Sequence, residues 1–187
     1  MNTLNSDPFG THRPCLVELI KHTTGNIIEC GCGNSSTVLI KDIIKNTDRK
    51  LISLESNLEW LNKFKHLEDD NHKLFYIDAG NIDNDATGKK WIDFIKNNTV
   101  INSLDFEVCF IDQSPWTART HSLNYFKDKC SFIIVHDVDY FPVKNKWGKI
   151  INETCTNGCI KLDMDFSDIL KQYKVYYPPF KYFAGTT

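Results

Sequence analysis

The sequence predicts an α/β protein built on a doubly wound, mostly parallel sheet. Two observations support this prediction: five short apolar runs recur along the chain, and segments with helical spacing lie between them. The runs are NIIEC (26–30), LISLE (51–55), LFYID (74–78), FEVCFID (106–112) and SFIIVHD (131–137). Nearly continuous apolar strands that alternate with helices are typical of a parallel sheet covered on both faces. The 187 residues are enough for one domain with its own core.

The helices are predicted from apolar residues at helical spacing. The sets are Val38, Leu39 and Ile43; Leu58, Trp60, Leu61, Phe64 and Leu67; Trp91 and Ile95; and Trp116, Leu123 and Phe126. RPCLVELIKH predicts a helix before the first strand, and QYKVYYPPFKYFAGTT predicts a C-terminal antiparallel hairpin broken by Pro178 and Pro179. We expect one domain over 1–187, with an N-terminal cap helix (1–24), a ligand-binding core (25–140) and a C-terminal part on the substrate side (141–187).

Composition disfavours several classes of function. The formal charge is -2 and the only arginines are Arg13, Arg49 and Arg119, so a nucleic-acid partner is not expected. The apolar runs fall far short of the ~20 residues that a membrane span needs, and MNTLNSDPFG lacks a signal pattern. We therefore expect a cytoplasmic protein without a membrane partner. The seven cysteines are expected to be reduced, mostly buried thiols. The sequence does not determine the oligomeric state.

A glycine-containing turn follows the first predicted strand in IIECGCGNSST. Gly31 and Gly33 allow a sharp turn and close approach of a ligand, and Ser35, Ser36 and Thr37 can cap the next helix. Ser36 stands where a dinucleotide motif has its third glycine, which disfavours a pyrophosphate ligand. A structural tight turn would also explain the pattern.

Acidic residues end the first three predicted strands. Glu29 suits a cationic part of a ligand, Glu55 can accept both hydroxyls of a ribose, and Asp78 is placed to receive an adenine amino group. In a doubly wound sheet these strand ends meet at one edge, where ligands bind. Helix capping or a solvated strand end would explain each acid alone, but the three together favour a binding site.

Taken together, IIECGCGNSST, LISLES, LFYIDAGN, FEVCFIDQSPW and FIIVHDV resemble the class I S-adenosylmethionine-dependent methyltransferases, which have a Rossmann-like fold. The resemblance covers roughly 25–140, and THRPCLVEL looks like the family's cap helix. It implies S-adenosylmethionine as the cofactor. The predicted cofactor contacts are Glu29, Gly31 and Gly33 at the methionine part, Glu55 at the ribose, and Asp78 and Ala79 at the adenine, together with Ser35, Ser36, Thr37 and Asp112.

GNSSTVLI and HDV look more like the sugar and small-molecule O-methyltransferases, including those that modify viral capsid glycans, than the nucleic-acid enzymes. Enzymes that methylate base amino groups commonly carry an Asn/Asp-Pro-Pro-aromatic turn, where this chain has IDQSPW. The predicted function is therefore O-methylation of a sugar or glycan hydroxyl. A catechol-like or natural-product acceptor, and a non-catalytic nucleotide-binding module, are the alternatives.

The candidates for catalysis end the fourth and fifth predicted strands: Asp112, His136 and Asp137. A sugar hydroxyl is a poor nucleophile until its proton leaves. In one interpretation, Asp112 and Asp137, with Asp139 as a third ligand, hold Mg²⁺ or another divalent cation, because two unpaired carboxylates would repel each other. In the other, His136 is the base, oriented by Asp137, without a metal. A helix cap at Asp112 and a solvated turn at Asp137 and Asp139 are the structural alternatives.

Three further residues are predicted to contact the acceptor: Trp116, Arg119 and Arg13. An aromatic face can pack on a sugar ring while an arginine holds a phosphate or carboxylate. Alternatively, Trp116 belongs to the core and Arg119 is a surface tether. His12 and Arg13 could form a lid over the cofactor or simply begin the first helix.

Overall fold

The computed structural model describes residues 10–137, and these residues contain a five-stranded parallel sheet. The strands are β1 Asn26–Cys30, β2 Leu51–Glu55, β3 His72–Tyr76, β4 Phe106–Ile111 and β5 Phe132–Val135. Their order is β3-β2-β1-β4-β5, and all four pairings are parallel. The predicted parallel α/β sheet is confirmed, although β3 begins and ends slightly earlier in the chain than expected. The predicted hairpin at Pro178 and Pro179 lies outside the described residues.

One helix precedes β1 and the others connect consecutive strands, as the apolar spacing predicts. They are α1 Arg13–Lys21, α2 Thr37–Ile44, α3 Leu58–Phe64 with a 3-10 turn over Lys65–Leu67, α4 Asp85–Asn97, α5 Thr99–Asn102 and α6 Thr117–Phe126. Helix α5 was not predicted. Asn98 ends α4 and caps α5, because its side chain accepts hydrogen bonds from the backbone N–H groups of Val100 and Ile101. Within residues 10–137, no helix has the length and apolar character of a membrane span.

Both faces of the sheet are covered. Ile27 of β1 packs in one apolar cluster with Leu16 and Ile20 of α1, while its neighbour Ile28 packs in another with Trp91 of α4. Successive strand residues point to opposite faces, so β1, β2, β4 and β5 each contribute to both clusters. This arrangement is the doubly wound, Rossmann-like architecture that the continuous apolar runs predict.

Arg49, just before β2, fastens the end of α1 to the start of β1. Its Nε donates to the Gly25 carbonyl at 2.6 Å, and its Nη1 donates to the carbonyls of Ile20 and Thr23 at 2.8 and 3.1 Å. The guanidinium therefore satisfies carbonyl groups at the C-terminal end of α1. By holding α1 against the sheet, it also helps to set where the N-terminal end of α1 lies.

The cysteines of the described residues are all free. Cys30, Cys32 and Cys109 are buried, whereas Cys15 and Cys130 are half-buried. The expectation of buried thiols is confirmed for Cys30, Cys32 and Cys109, whereas Cys15 and Cys130 meet it only in part. Cys155 and Cys159 lie outside the described residues.

Candidate functional site

The glycine turn follows β1, at the point where the chain order of the sheet reverses. Strand β1 pairs with β2 on one side and β4 on the other, so the turn lies at the topological switch point, where open α/β sheets bind ligands. Gly31 has φ +95°, and a Cβ built there would lie 2.7 Å from the backbone of Asp112 and Gln113. Close packing of two strand ends is therefore enough to require a glycine at position 31.

Gly33 has a different environment. A Cβ built there would lie 3.0 Å from Ser36 Oγ, and the next nearest atom is the Ser35 nitrogen at 4.0 Å. Among the described residues, the space beside Gly33 is therefore more open than the space beside Gly31. This is where the turn could let a ligand approach the backbone, as the sequence predicts.

Glu29 is fully buried beneath the turn. One carboxylate oxygen accepts a hydrogen bond from Ser53 Oγ at 2.6 Å, and Thr37 Oγ1 lies 2.9 and 3.1 Å from the two oxygens. Thr37 Oγ1 in turn accepts from the Gly33 N–H at 2.8 Å. Burial raises the pKa of Glu29 to about 7, against the opposing hydrogen bonds of Ser36, Ser53 and Thr37. Glu29 therefore positions the turn from below.

The predicted capping by the Ser35–Thr37 segment is wrong for the cap position itself. Ser36 occupies the N-cap of α2 but makes no side-chain capping bond. Ser35, Ser36 and Thr37 are all buried, and hydrogen bonds of Ser36 and Thr37 go to Glu29. The buried carboxyl group competes successfully with the helix end for these hydroxyls, because it has no water to bind.

Glu29 also belongs to a buried chain of polar groups that the sequence did not indicate. Ser53 Oγ lies 2.9 Å from His72 Nε2, and His72 Nδ1 lies 3.1 Å from the Leu67 carbonyl. Burial lowers the pKa of His72 to about 4. A neutral His72 with its proton on Nδ1 donates to the Leu67 carbonyl, so its Nε2 is an acceptor and competes with Glu29 for the single proton of the Ser53 hydroxyl. The raised pKa of Glu29 and the lowered pKa of His72 both favour uncharged side chains in this chain of polar groups.

Glu55 lies at the end of β2, 7% exposed, beside the glycine turn. It accepts hydrogen bonds from the backbone N–H groups of Cys32 at 3.0 Å and of Ser56 and Asn57 at 2.8 Å. Burial raises its pKa, while these hydrogen bonds act in the opposite direction. The contacts orient the carboxylate at the switch point and occupy part of its acceptor capacity.

The two predicted adenine contacts, Asp78 and Ala79, follow β3 at the same edge of the sheet. Asp78 follows β3 and is exposed, whereas Ala79 is buried. Ser56 Oγ donates to the Ser114 carbonyl at 2.8 Å and so links the segments after β2 and β4 across the end of β1.

Asp112, Arg119, His136 and Asp137 form a group that we call the strand-end cluster. His136 Nδ1 lies 3.1 Å from Asp112 Oδ1 and 3.4 Å from Asp137 Oδ1. Burial disfavours the charged ring of His136, but its hydrogen bond to Asp112 and the two negative charges outweigh burial, so its pKa is raised. His136 therefore contacts both of the other predicted catalytic residues.

Arg119 lies between the two carboxylates. Its Nη2 is 3.0 Å from Asp112 Oδ1, and its Nη1 is 3.3 Å from Asp137 Oδ2. Its Nε and Nη1 also donate to the carbonyls of Gln113 and His136, both at 2.8 Å. The premise that Asp112 and Asp137 are unpaired was wrong, because this guanidinium contacts both carboxylates and offsets part of their charge.

These contacts also bear on the predicted acceptor residues. Arg119 is 4% exposed, so in this conformation it orients the cluster and is not open to a substrate anion. Trp116 is half-buried against the core, with Arg119 Cζ 5.1 Å from its ring centroid, and Arg13 is exposed at the start of α1. Helix α6 begins at Thr117, slightly later than expected.

His12, which precedes α1, lies against the strand-end cluster. Its ring centroid is 4.5 Å from that of His136 and 4.8 Å from that of Phe110. Neither ring nitrogen makes a hydrogen bond of normal distance and angle in the described part of the chain. Burial, followed by the nearby His136, lowers the pKa of His12 to about 4, whereas Asp112, Asp137 and the Ser35 backbone act in the opposite direction. Sequence reasoning considered His12 only as a lid or helix start.

One ligand atom from each of His12, Asp112 and His136 lies within 4.8 Å of the other two. This is a different group from the predicted set of Asp112, Asp137 and Asp139. Asp137 is directed to Arg119 and His136, and Asp139 lies outside the described residues. Of the predicted metal ligands, only Asp112 belongs to the group that the geometry favours.

A surface groove of about 360 Å³ lies elsewhere, between α4 and α6. Lys89, Lys96, His121 and Tyr125 are among the residues that line it. It contains none of the predicted site residues, so the switch point and the groove are separate features.

Comparison with known proteins gives no match to a family model, to a curated protein or to a solved structure. The function of the chain is therefore inferred from its own residues and their geometry.

Proposed function

We propose that this protein is an S-adenosylmethionine-dependent O-methyltransferase that acts on a hydroxyl of a sugar or glycan. The observation that carries the proposal is the His136–Asp112 pair at the switch-point edge of the sheet, 3.1 Å apart. His136 Nε2 lies 2.8 Å from the Thr11 hydroxyl, so this nitrogen already makes the type of contact that an acceptor hydroxyl requires.

Bound S-adenosylmethionine would supply an electrophilic methyl group. The chain's own residues would provide its binding site: the open side of Gly33, the carboxylate of Glu55, and exposed Asp78 at the neighbouring strand end. Glu29 would contribute by holding Thr37 and the Gly33 N–H in place. These features support a ligand that lies across the ends of β1, β2 and β3.

The acceptor hydroxyl would be activated at the strand-end cluster. Two routes use the same residues. His136 could remove the proton directly, with Asp112 orienting its ring and Arg119 holding Asp112. Alternatively, a cation bound there would lower the pKa of the hydroxyl. Activity that survives exhaustive EDTA treatment and is lost in His136→Ala would support the direct route, whereas loss with EDTA and recovery with a metal ion would support the second.

Calorimetric titration with S-adenosylmethionine tests the cofactor part of the proposal. Glu55→Gln should weaken binding by roughly 2–3 kcal/mol, because ribose hydroxyls would lose an ionised acceptor. Glu59→Gln, at an exposed position of α3, is the matched control and should bind normally. No binding by the unaltered protein would contradict the proposal.

Acceptor activity is tested separately, by mass spectrometry of a panel of free sugars, glycans and catechol-like compounds incubated with the cofactor. A methylated sugar or glycan is the expected product. Methylation of catechols alone would show that the substrate is a catechol-like compound and not a sugar or glycan. Cofactor binding without transfer to any acceptor would favour a non-catalytic nucleotide-binding module.

A further inference from the structure

Among the described residues, His12 has two buried side-chain nitrogens without a hydrogen-bond partner, whereas Trp91 and Gln113 have one such atom each. His12 is only 6% exposed, yet neither ring nitrogen makes a hydrogen bond of normal geometry in residues 10–137, although the Ser35 backbone favours its charged form. Buried polar groups normally have partners, and an exception needs an explanation such as an ion. The His12 ring meets the edge of the His136 ring and lies beside Asp112.

The three side chains converge from distant parts of the sequence. His12 comes from the start of α1, Asp112 from the end of β4 and His136 from the end of β5. Each offers one ligand atom, and these atoms lie within 4.8 Å of one another. A modest closure would bring all three to the separations found around a single metal ion. Asp112 is 23% exposed at its side chain, which gives an ion a route from solvent.

We propose that His12, Asp112 and His136 form a binding site for a divalent transition-metal ion, with Zn²⁺ as the best match. Two imidazoles and one carboxylate are a ligand set that zinc and ferrous iron accept, whereas Mg²⁺ and Ca²⁺ prefer oxygen ligands. The site differs from an all-carboxylate site at Asp112, Asp137 and Asp139 in both its residues and its metal class.

Arg119 and Asp137 form the surroundings of this site. Arg119 contacts Asp112 through Oδ1, the same oxygen that faces His136 Nδ1. Arg119 also takes up the charge of Asp137, so the local carboxylate charge left for an ion is close to one unit. Partners of this kind orient a ligating carboxylate and tune its affinity for a metal.

The inference concerns binding of the ion and does not depend on methyl transfer. If the proposed function is also correct, the ion would lie where the acceptor hydroxyl is activated. Metal titrations without cofactor or acceptor can therefore fail or succeed independently of the proposed reaction.

The test is calorimetric titration of chelator-treated, dialysed protein with Zn²⁺, and with Co²⁺ as a coloured probe. We expect one ion per chain, visible cobalt bands without thiolate charge transfer, and weaker binding of Mg²⁺ than of Zn²⁺. His12→Gln should weaken Zn²⁺ binding about 100-fold or more, because a direct ligand is lost. His22→Gln, at the other end of the same helix with a 77% exposed side chain, is the control and should bind normally.

Several results would overturn the inference. These are no Zn²⁺ binding by the unaltered protein, equal affinity in His12→Gln, thiolate charge-transfer bands that place cobalt on cysteines, or tighter binding of Mg²⁺ than of Zn²⁺. Asp112→Asn should also lose binding, but it removes an Arg119 contact and can impair folding. His12→Gln leaves that ion pair intact, so it decides the question if Asp112→Asn does not fold.

Discussion

At the scale of single residues, Gly31 determines how closely the turn after β1 approaches Asp112. Its N–H donates to the Leu54 carbonyl at 2.8 Å, and its φ of +95° is in a region that residues with a Cβ rarely adopt. A Cβ would meet backbone atoms that cannot rotate away. The glycine is thus required by the geometry of the site before any ligand is considered.

Gly31→Ala should lower the free energy of unfolding by about 2–4 kcal/mol, from backbone strain together with overpacking. Urea unfolding measures this change. Gly80→Ala is the matched control, because Gly80 has φ +80° but no heavy atom within 4 Å of a built Cβ. It should show only the backbone cost, about 1–2 kcal/mol. Equal losses in the two variants would contradict the close packing at Gly31.

At the scale of elements, α4 and α6 pack closely because α4 has a glycine at the contact. A Cβ built on Gly88 would lie 2.1 Å from the His121 ring of α6. His121 Nε2 also lies 2.9 Å from Asp85 Oδ1 at the start of α4. The glycine lowers the helix propensity of α4 but admits the imidazole ring, so tertiary packing outweighs local preference here.

Gly88→Ala should therefore destabilise the protein by about 1–3 kcal/mol. In a His121→Ala background the ring is absent, and the same change should stabilise α4 by up to about 1 kcal/mol through helix propensity. Thermal or urea unfolding of the two single variants and the double variant gives the coupling free energy between positions 88 and 121. An effect of the same sign and size in both backgrounds would show that His121 does not limit this contact.

At the scale of the whole molecule, the buried chain of Glu29, Ser53 and His72 joins three neighbouring strands, from the central strand β1 through β2 to the edge strand β3. Folding buries His72 in its neutral form and lowers its pKa to about 4 from 6.5. Between pH 4 and pH 6.5 the unfolded chain binds more protons at His72 than the folded chain does. The free energy of unfolding therefore falls as the pH falls from 6.5 toward 4. Glu29, with its pKa raised to about 7 from 4.5, acts oppositely, because folding takes up a proton between those values.

His72→Gln isolates the histidine contribution. The substitution should lower the free energy of unfolding most near pH 7. Near pH 4 the difference between the unaltered protein and the variant should be smaller by up to about 3 kcal/mol, because the unaltered protein has itself lost the His72 contribution at that pH. Urea unfolding across this range, with exposed His66→Gln as the control, measures the difference. A difference between unaltered protein and His72→Gln that does not change with pH would contradict a buried neutral His72.

Local patterns in the sequence were sufficient for much of the fold. Apolar spacing and the glycines Gly31 and Gly33 predict the bounds of β1 and β2, the helices between strands and the acids at strand ends. These signals are local, because each depends on residues only a few positions apart. The short helix α5 was missed because its formation depends on the single cap Asn98. The cofactor, the acceptor and the roles of the site residues stay predictions.

The tertiary structure alone decided which polar groups meet. His12 reaches His136, Arg119 lies between Asp112 and Asp137, and His72 faces Ser53 only because strand order and register bring distant segments together. Residue spacing places a side chain on a strand end but does not specify its partner across the sheet. The sequence by itself determined the sheet and its candidate edge, whereas the charge balance and the unpartnered His12 were decided by long-range packing.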